Sequence, residues 1–315
     1  MSHTRRYFIT GGAGFIGSHL ADALLAENNE VTVFDNLSSG KTSHIAHHRD
    51  QRGFRFVQGD LKDGGHLKDA MAGHDAVFHL ASNPDIARGL VETDLDLREG
   101  TLLTYNVLEA MRINGIETLT YTSGSGIYGD QGSKPVAEDF GPLLPISLYG
   151  ASKLASEGLI SAFCHMFGMR AHIFRPANVV GARQTHGVTF DFIRKLRLNP
   201  LSLEIFGDGT QSKSYIHVDD VVAAMVFVRS RLPDPVAIYN LATDDYLDVT
   251  SIALTVVREM GLDNVKLVYT GGKRGWKGDV PVVRFDLGKI HGLGWTARYS
   301  SAEAVARSVR EQLGG

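Results

Sequence analysis

The 315-residue sequence predicts an α/β fold, a doubly wound parallel sheet with a smaller, discontinuous C-terminal lobe. Three observations carry this. Its short apolar runs are nearly continuous rather than alternating, as strands covered on both faces require. From the first residues onward these runs take turns with stretches of helical period. The 35 glycines fall in many short turns, with no internal repeat, low-complexity tract or long linker.

The expected strands are residues 7–9, 31–34, 54–57, 76–80, 118–122 and 171–174, and the expected helices are 15–27, 67–71, 100–113 and 148–167. After about Arg175 the rhythm changes, and loop-like segments at 176–187, 207–214 and 271–280 separate short elements. Residues 218–228 and 238–241 look like a return to the sheet. The expected division is 1–174 with 216–243 for the sheet lobe, and 175–215 with 244–315 for the other.

Lys and Arg number 32 against 35 acids, a formal net charge of −3, so no strong positive field draws in nucleic acid or an anionic membrane. The single cysteine, Cys164, excludes an intrachain disulfide and favours a reducing compartment. No apolar stretch has the length that spans a bilayer, and no apolar signal region precedes Tyr7. The expectation is a soluble, cytoplasmic protein.

The first strand runs into Thr10-Gly11-Gly12-Ala13-Gly14-Phe15-Ile16-Gly17. Gly11, Gly14 and Gly17 have the spacing of a dinucleotide-binding turn of the Rossmann type: a tight turn, a close approach of backbone N–H groups to pyrophosphate, and close helix–strand packing. The following helix points its positive end at the phosphates. Asp35 ends the second strand, where a carboxylate accepts both ribose hydroxyls of NAD; a 2′-phosphate there would meet negative charge with no adjacent arginine, which favours NAD over NADP. Asp60, after the third strand, is either an acceptor for the adenine amine or a helix cap.

Far downstream stands Tyr149-Gly150-Ala151-Ser152-Lys153. A phenol and an ammonium four residues apart share one helix face. The positive charge favours partial ionisation of a phenol that otherwise titrates near about 10. Beside a bound nicotinamide, this pair describes an alcohol-oxidation site. Ser123-Gly124-Ser125-Gly126-Ile127-Tyr128-Gly129 follows the strand at 118–122, at the carboxyl edge where such sheets bind ligands.

With these motifs the chain resembles the extended short-chain dehydrogenase/reductase superfamily, in its NAD-dependent nucleotide-sugar epimerase/dehydratase branch (UDP-glucose 4-epimerase-like). The resemblance runs from Tyr7 to about Ser301. Further landmarks are Phe174-Arg175-Pro176-Ala177-Asn178-Val179-Val180-Gly181, Gly207-Asp208-Gly209, Tyr215-Ile216-His217-Val218-Asp219 and Gly278-Asp279. It implies Tyr149 as general base and Lys153 as the residue that holds the nicotinamide ribose. It extends the cofactor contacts to Phe15, Ile16, Asn36, Leu61, Leu80, Ala81, Ser82 and Pro176. Asn178, Val188, Gln211, Lys213, Arg274 and Asp279 are implied to flank the nucleotide diphosphate and uridine, with Ser125, Gly126 and Tyr149 toward the sugar.

Four departures stand out. Gly124 occupies the place of the family's catalytic Ser or Thr, leaving Ser123 or Ser125 to supply a hydroxyl, or a water to substitute for it. Leu97 stands where asparagine is common. Lys213-Ser214 replaces Arg-Asp, which weakens a bidentate phosphate clamp. Trp276 and Lys277 stand where an arginine often precedes Gly-Asp, leaving Arg274 to reach in.

A 4,6-dehydratase of the branch carries Asp-Glu just before Val-Tyr-Gly, and Ser125 and Gly126 stand there instead. The expected chemistry is therefore C4 epimerisation of a UDP-sugar through a 4-keto intermediate, of the UDP-glucose/UDP-galactose type. Arg183 keeps UDP-glucuronate open as the substrate if it pairs with a C6 carboxylate, the alternative being a contact with the diphosphate or a neighbouring carboxylate. A catalytically silent NAD-binding sensor or scaffold is the third reading. His44, His47 and His48 have helical spacing, but no carboxylate or cysteine completes a metal set in the sequence, so no metal is expected. His217 reads as structural. The apolar faces at 102–111 and 154–167 exceed what one sheet face needs, and the resemblance implies a homodimer.

Overall fold

The structure is a computed structural model describing residues 4–231, 235–275 and 278–314. In its first part the strands are β1 (Arg6–Thr10), β2 (Glu30–Asp35), β3 (Phe54–Gln58), β4 (Ala76–His79), β5 (Thr118–Thr122) and β6 (Arg170–Pro176). The helices among them are α1 (Phe15–Ala26), α2 (Gly64–Met71), α3 (Leu102–Asn114) and α4 (Leu148–Phe167). There follow β7 (Asn178–Val180), α5 (Val188–Leu198), β8 (Ser202–Ile205), β9 (Ser212–Lys213), β10 (Tyr215–His217) and α6 (Val218–Val228). The chain closes with β11 (Val236–Leu241), β12 (Leu247–Asp248), α7 (Val249–Glu259), β13 (Lys266–Tyr269), α8 (Gly288–Gly292) and α9 (Ser301–Gly314).

Seven strands form one sheet in the order β11-β6-β5-β4-β1-β2-β3. Every pairing from β3 across to β6 is parallel. The apolar runs are continuous because both faces are covered: Phe8, Phe34, Val77, Leu119 and Ile173 are buried in one core with Leu67, Met71, Val107, Met111 and Ile160 from the helices, and the alternate strand residues Tyr7, Ile9, Val33 and Phe78 are buried as well. Chain order reverses at β1, which lies between β4 and β2, so a crevice opens at the carboxyl ends of these strands.

Two helix starts differ from expectation, each for a local reason. α2 begins at Gly64 because Asp63 caps it, its Oδ1 accepting from the His66 N–H at 3.0 Å. Ahead of α3 the chain makes a π turn at Leu97–Thr101. There Ser152 Oγ donates to the Asp96 carbonyl at 2.6 Å, competing for the acceptor an α-turn would use.

Contacts divide the chain into two compact units. The first holds the chain through Ser123 with Ala151–Phe174 and Val222–Tyr239, and the second holds Gly124–Gly150, Arg175–Val221 and the chain from Asn240. Residues 124–150 thus join the second unit, unlike the division expected from sequence. Val136 is the reason: it pairs with Phe285, and its carbonyl accepts from Asp286 N–H and from Asn240 Nδ2. The second unit has its own core, in which Phe192, Ile193 and Leu196 of α5, Ile252 and Val256 of α7, and Val305 and Val309 of α9 surround Leu203, Ile205 and Tyr215. These helices were not singled out in the sequence.

His217 is structural in this unit, its Nε2 lying 3.1 Å from Glu311 Oε2. Burial opposes charge on Glu311, but hydrogen bonds from His217 and Arg307 override it and draw the carboxyl down to about 2. Burial likewise opposes the His217 charge, yet Asp219 and Glu311 raise its pKa. A depressed carboxyl stabilises above its unfolded value of about 4.3 and loses that as pH falls; a raised imidazole stabilises below about 6.5 and loses that as pH rises. Glu311→Gln is therefore expected to cost about 1–2 kcal/mol near pH 6, after allowing for water around the partly exposed carboxylate, and much less near pH 3. Urea unfolding at the two pH values measures this.

Candidate active site

The first unit contributes a cradle for a long anionic ligand. Gly11 has φ +68, a conformation open to glycine, and a Cβ there would stand 2.8 Å from Ala81 N. A Cβ on Gly17 would collide with the Gly11 carbonyl. Gly14 is the N-cap of α1 and no side chain caps the helix, so the amides at Phe15, Ile16 and Gly17 are offered to an anion. Leu80, Ala81 and Ser82 follow β4 beside this turn, with Leu80 N–H donating to Thr10 O at 3.2 Å.

Asp35 ends β2 as a buried carboxylate. Desolvation raises its pKa, while N–H groups of Leu37 and Ala13 pull the other way. Those two amides occupy one position on each oxygen, at 2.8 and 3.0 Å, leaving lone pairs for two hydroxyls. Asn36 Nδ2 donates to Asp60 Oδ2 at 3.1 Å, and Lys62 N–H donates to Oδ1 at 2.9 Å. Asp60 is thus tied to Asn36 beside the buried Leu61, and the helix-cap alternative falls to Asp63.

Lys153, one turn after Tyr149 on α4, is buried; its Nζ donates to Thr122 O at 2.8 Å and lies 4.9 Å from the Tyr121 ring centroid. Burial lowers its pKa to about 8, with Glu157 and Asp96 partly offsetting. The buried hydroxyls of Thr122 and Ser123 have no hydrogen-bond partner among the described residues, a cost of about 1–3 kcal/mol each that a polar ligand would relieve. A glycine-lined turn, an uncapped helix, a carboxylate after β2 and orphaned hydroxyls after β5 together fit a dinucleotide.

The second unit carries the phenol. Ser147 Oγ accepts from Gly150 N–H at 3.1 Å, the bond a capping serine makes, and so sets Tyr149 in the first turn of α4. A Cβ on Gly150 would lie 2.6 Å from the Gly126 carbonyl oxygen, so the missing side chain lets α4 press against the 3₁₀ turn Ser125–Tyr128. Gly124 faces the tyrosine: a Cβ there would stand 3.8 Å from Tyr149 Cε1 and 3.9 Å from its Oη. The turn is held from below by buried Arg175, whose Nη1 donates to Tyr128 Oη at 2.8 Å and to Glu138 O at 2.9 Å. Tyr128 Oη in turn donates to Asn240 Oδ1 at 2.7 Å.

Farther along this unit the predicted polar residues gather. Lys213 Nζ meets Asp279 Oδ1 at 2.7 Å, and Asp279 Oδ2 accepts from Gly275 N–H at 3.1 Å. Arg274 bonds the Asp279 carbonyl and pairs with Asp130 Oδ2 at 2.7 Å. Buried Gln211 donates to the carbonyl of Phe206, whose ring is half exposed. Asn178 hydrogen-bonds the buried Tyr215 phenol. Pro176 ends β6 and is buried, as is Ala177 after it; Val188 opens α5, and Arg183 is half-buried with φ +62. Trp276 and Lys277 lie outside the described residues.

Sequence reasoning missed Asp130, Phe206, Ser147 and the Arg175–Tyr128–Asn240 chain. Asp130, directly after Tyr128-Gly129, was the one with a local signal. One expectation is corrected. His44 turns to the Ala13 carbonyl at 3.0 Å, but His47 and His48 both converge on a carboxylate, Asp22, which stands on α1 outside the histidine segment.

Residues 7–242 match the model of the NAD dependent epimerase/dehydratase family. The chain belongs to this family. Its NAD-dependence fits the cradle described above. Family members similar to it include the UDP-glucose 4-epimerase of Mycolicibacterium smegmatis, 31% identical over 313 residues, with 96% of this chain and 97% of that protein covered. A crystal structure of UDP-galactose 4-epimerase shares 37% identity at a TM-score of 0.86, covering 97% of this chain and 98% of that one. The Thermus thermophilus UDP-glucose 4-epimerase in complex with NAD shares 30% identity at a TM-score of 0.86, covering 97% and 98%.

Proposed function

We propose that the protein interconverts C4 epimers of a UDP-hexose, of the UDP-glucose/UDP-galactose type, through a 4-keto intermediate. The observation that carries this is the surround of Tyr149. Gly124, Ser125 and Gly126 furnish no carboxylate at the turn packed on its helix, so Tyr149 is the proton-transfer group of this site. Bound NAD supplies an acceptor and donor of hydride at C4. Tyr149 Oη takes the proton of the C4 hydroxyl and returns it once the ring has turned over. Lys153, fixed by the Thr122 carbonyl, keeps positive charge near the ribose and the phenol. Gly11, Gly14 and Gly17 with Phe15, Ile16, Asp35, Asn36, Asp60 and Leu61 hold the cofactor.

Gln211, Lys213, Arg274 and Asp279 bind the diphosphate end, with the exposed Phe206 ring as a stacking face for the base. Arg274→Ala is expected to raise KM about fivefold with little change in kcat, since Arg274 is part-exposed and already paired with Asp130. Steady-state kinetics on the purified variant checks this.

The functional test offers UDP-glucose, UDP-galactose and UDP-glucuronate separately, without added NAD, and identifies products by chromatography. Epimer from the neutral sugars supports the reading. Turnover confined to the glucuronate would shift it to the acid, with Arg183 as carboxylate partner, and silence with all three would favour the sensor or scaffold. We extend the proposal to a cytoplasmic homodimer, supported by Leu102, Tyr105, Ile113, Met166 and Phe167 exposed on α3 and α4; light scattering that gives a monomer mass would remove it.

A further inference from the structure

We propose that Asp22, His47 and His48 form a binding site for a divalent transition-metal cation of the zinc class, bracing the segment after β2 against α1. The inference rests on the first unit alone and is independent of the catalytic reading.

Among the described residues this is the one grouping of at least three His, Cys, Asp or Glu side chains whose ligand atoms all lie within 4.8 Å of one another. Asp22 stands on α1, and the two histidines close the 3₁₀ turn Ala46–His48. His47 Nε2 lies 2.9 Å and His48 Nε2 2.6 Å from the same oxygen, Asp22 Oδ1. Their rings are neighbours, with centroids 4.0 Å apart.

The second nitrogen of His48 is what favours a metal. Its Nδ1 lies 2.6 Å from Gln51 Oε1, and an acceptor oxygen there places the ring proton on Nδ1. The outer nitrogen of His48 is thereby held by Gln51 while its inner nitrogen, Nε2, faces the Asp22 carboxylate that His47 also meets. An outer acceptor that fixes the tautomer of a ligating histidine is the usual support of a metal site. Two imidazoles and a carboxylate are three ligands suited to zinc, with the fourth position left to water. Ligand atoms on tetrahedral zinc stand about 3.3 Å apart, so metal entry moves the part-exposed Asp22 carboxylate away from His48 Nε2, now 2.6 Å from it, and turns the part-exposed His47 ring. The same exposure, 47% of the His47 side chain, provides the entry path.

The location gives the site a consequence. Lys41 N–H donates to the Ala13 carbonyl at 3.0 Å, and His44 Nδ1 lies 3.0 Å from the same oxygen. A Cβ on Gly40 would stand 2.9 Å from both Asp35 carboxylate oxygens. The segment that the metal would anchor therefore borders the glycine turn and Asp35, so bound metal is expected to slow NAD release as well as raise thermal stability.

The test titrates the NAD-loaded protein with zinc chloride by calorimetry in a non-chelating buffer, and with Co²⁺ followed by visible absorption. Expected are saturation at a single equivalent, a Co²⁺ spectrum of an N/O site, and a higher Tm with zinc. Asp22→Asn and His47→Gln, both at part-exposed positions, should each weaken zinc binding by about tenfold or more and lose the zinc-dependent rise in Tm, and Gln51→Ala should weaken binding by about tenfold. No saturable binding in the micromolar range, or equal binding by wild type and Asp22→Asn, would overturn the proposal and leave the cluster an imidazolium–carboxylate pair.

Discussion

Tyr149→Phe is expected to lower kcat about a thousandfold while the purified protein still carries NAD. The substitution removes one oxygen and leaves the ring, its helix and the Ser147–Gly150 bond that positions it. With Gly124, Ser125 and Gly126 in the adjoining turn, no carboxylate, histidine or cysteine of that turn can take over the C4 proton. General acid–base catalysis by one positioned group contributes about 10²–10⁴-fold, and the proposed mechanism rests that contribution on one residue. The glycine turn, Asp35 and Lys153 are untouched, so NAD released on denaturation should match wild type in amount. Turnover within tenfold of wild type would remove Tyr149 from the proposed role.

Gly124→Ser is expected to raise kcat by about tenfold or more. Gly124 has φ −174 and ψ 165, extended backbone that any residue adopts, so the substitution carries no conformational strain. Its Cβ would make ordinary contacts with the tyrosine ring at 3.8 and 3.9 Å, and Oγ extends one bond farther, to where a hydroxyl can donate to the phenolate and to the developing charge on O4. A preorganised donor at such charge is worth about 10²–10³ when removed from an evolved site, and a newly introduced one recovers part of that. Gly124→Ala is the control, since it adds the same Cβ without the oxygen. Equal activity of the serine and alanine variants would assign the hydroxyl's work to Ser125, Ser123 or water instead.

Local spacing made much of this legible from sequence. Gly11, Gly14 and Gly17 lie within one turn, Asp35 ends an apolar run, and Tyr149 and Lys153 are one helical turn apart, so each could be placed without knowing the rest of the chain. What stayed hidden is made by distant partners. Arg274 finds Asp130 and Arg175 finds Tyr128 across long stretches of chain, so the motif around Tyr128-Gly129 marks these positions without naming their partners. Asp22 faces His47 and His48 only because α1 and the turn after β2 pack together. The second-unit helices α5, α7 and α9 were missed for a related reason: their apolar faces sit among loops that obscure the period, and their partners come from both ends of the C-terminal half.

The most direct measurement follows deuterium at C4. UDP-galactose labelled there is incubated with the protein in ordinary water without added NAD, and the product is read by NMR. Proton shuttling by Tyr149 with tightly held NAD predicts UDP-glucose that keeps its deuterium at C4. Deuterium lost to solvent, a 4-keto-6-deoxy product, or turnover that appears only when NAD is supplied in proportion to product would contradict it.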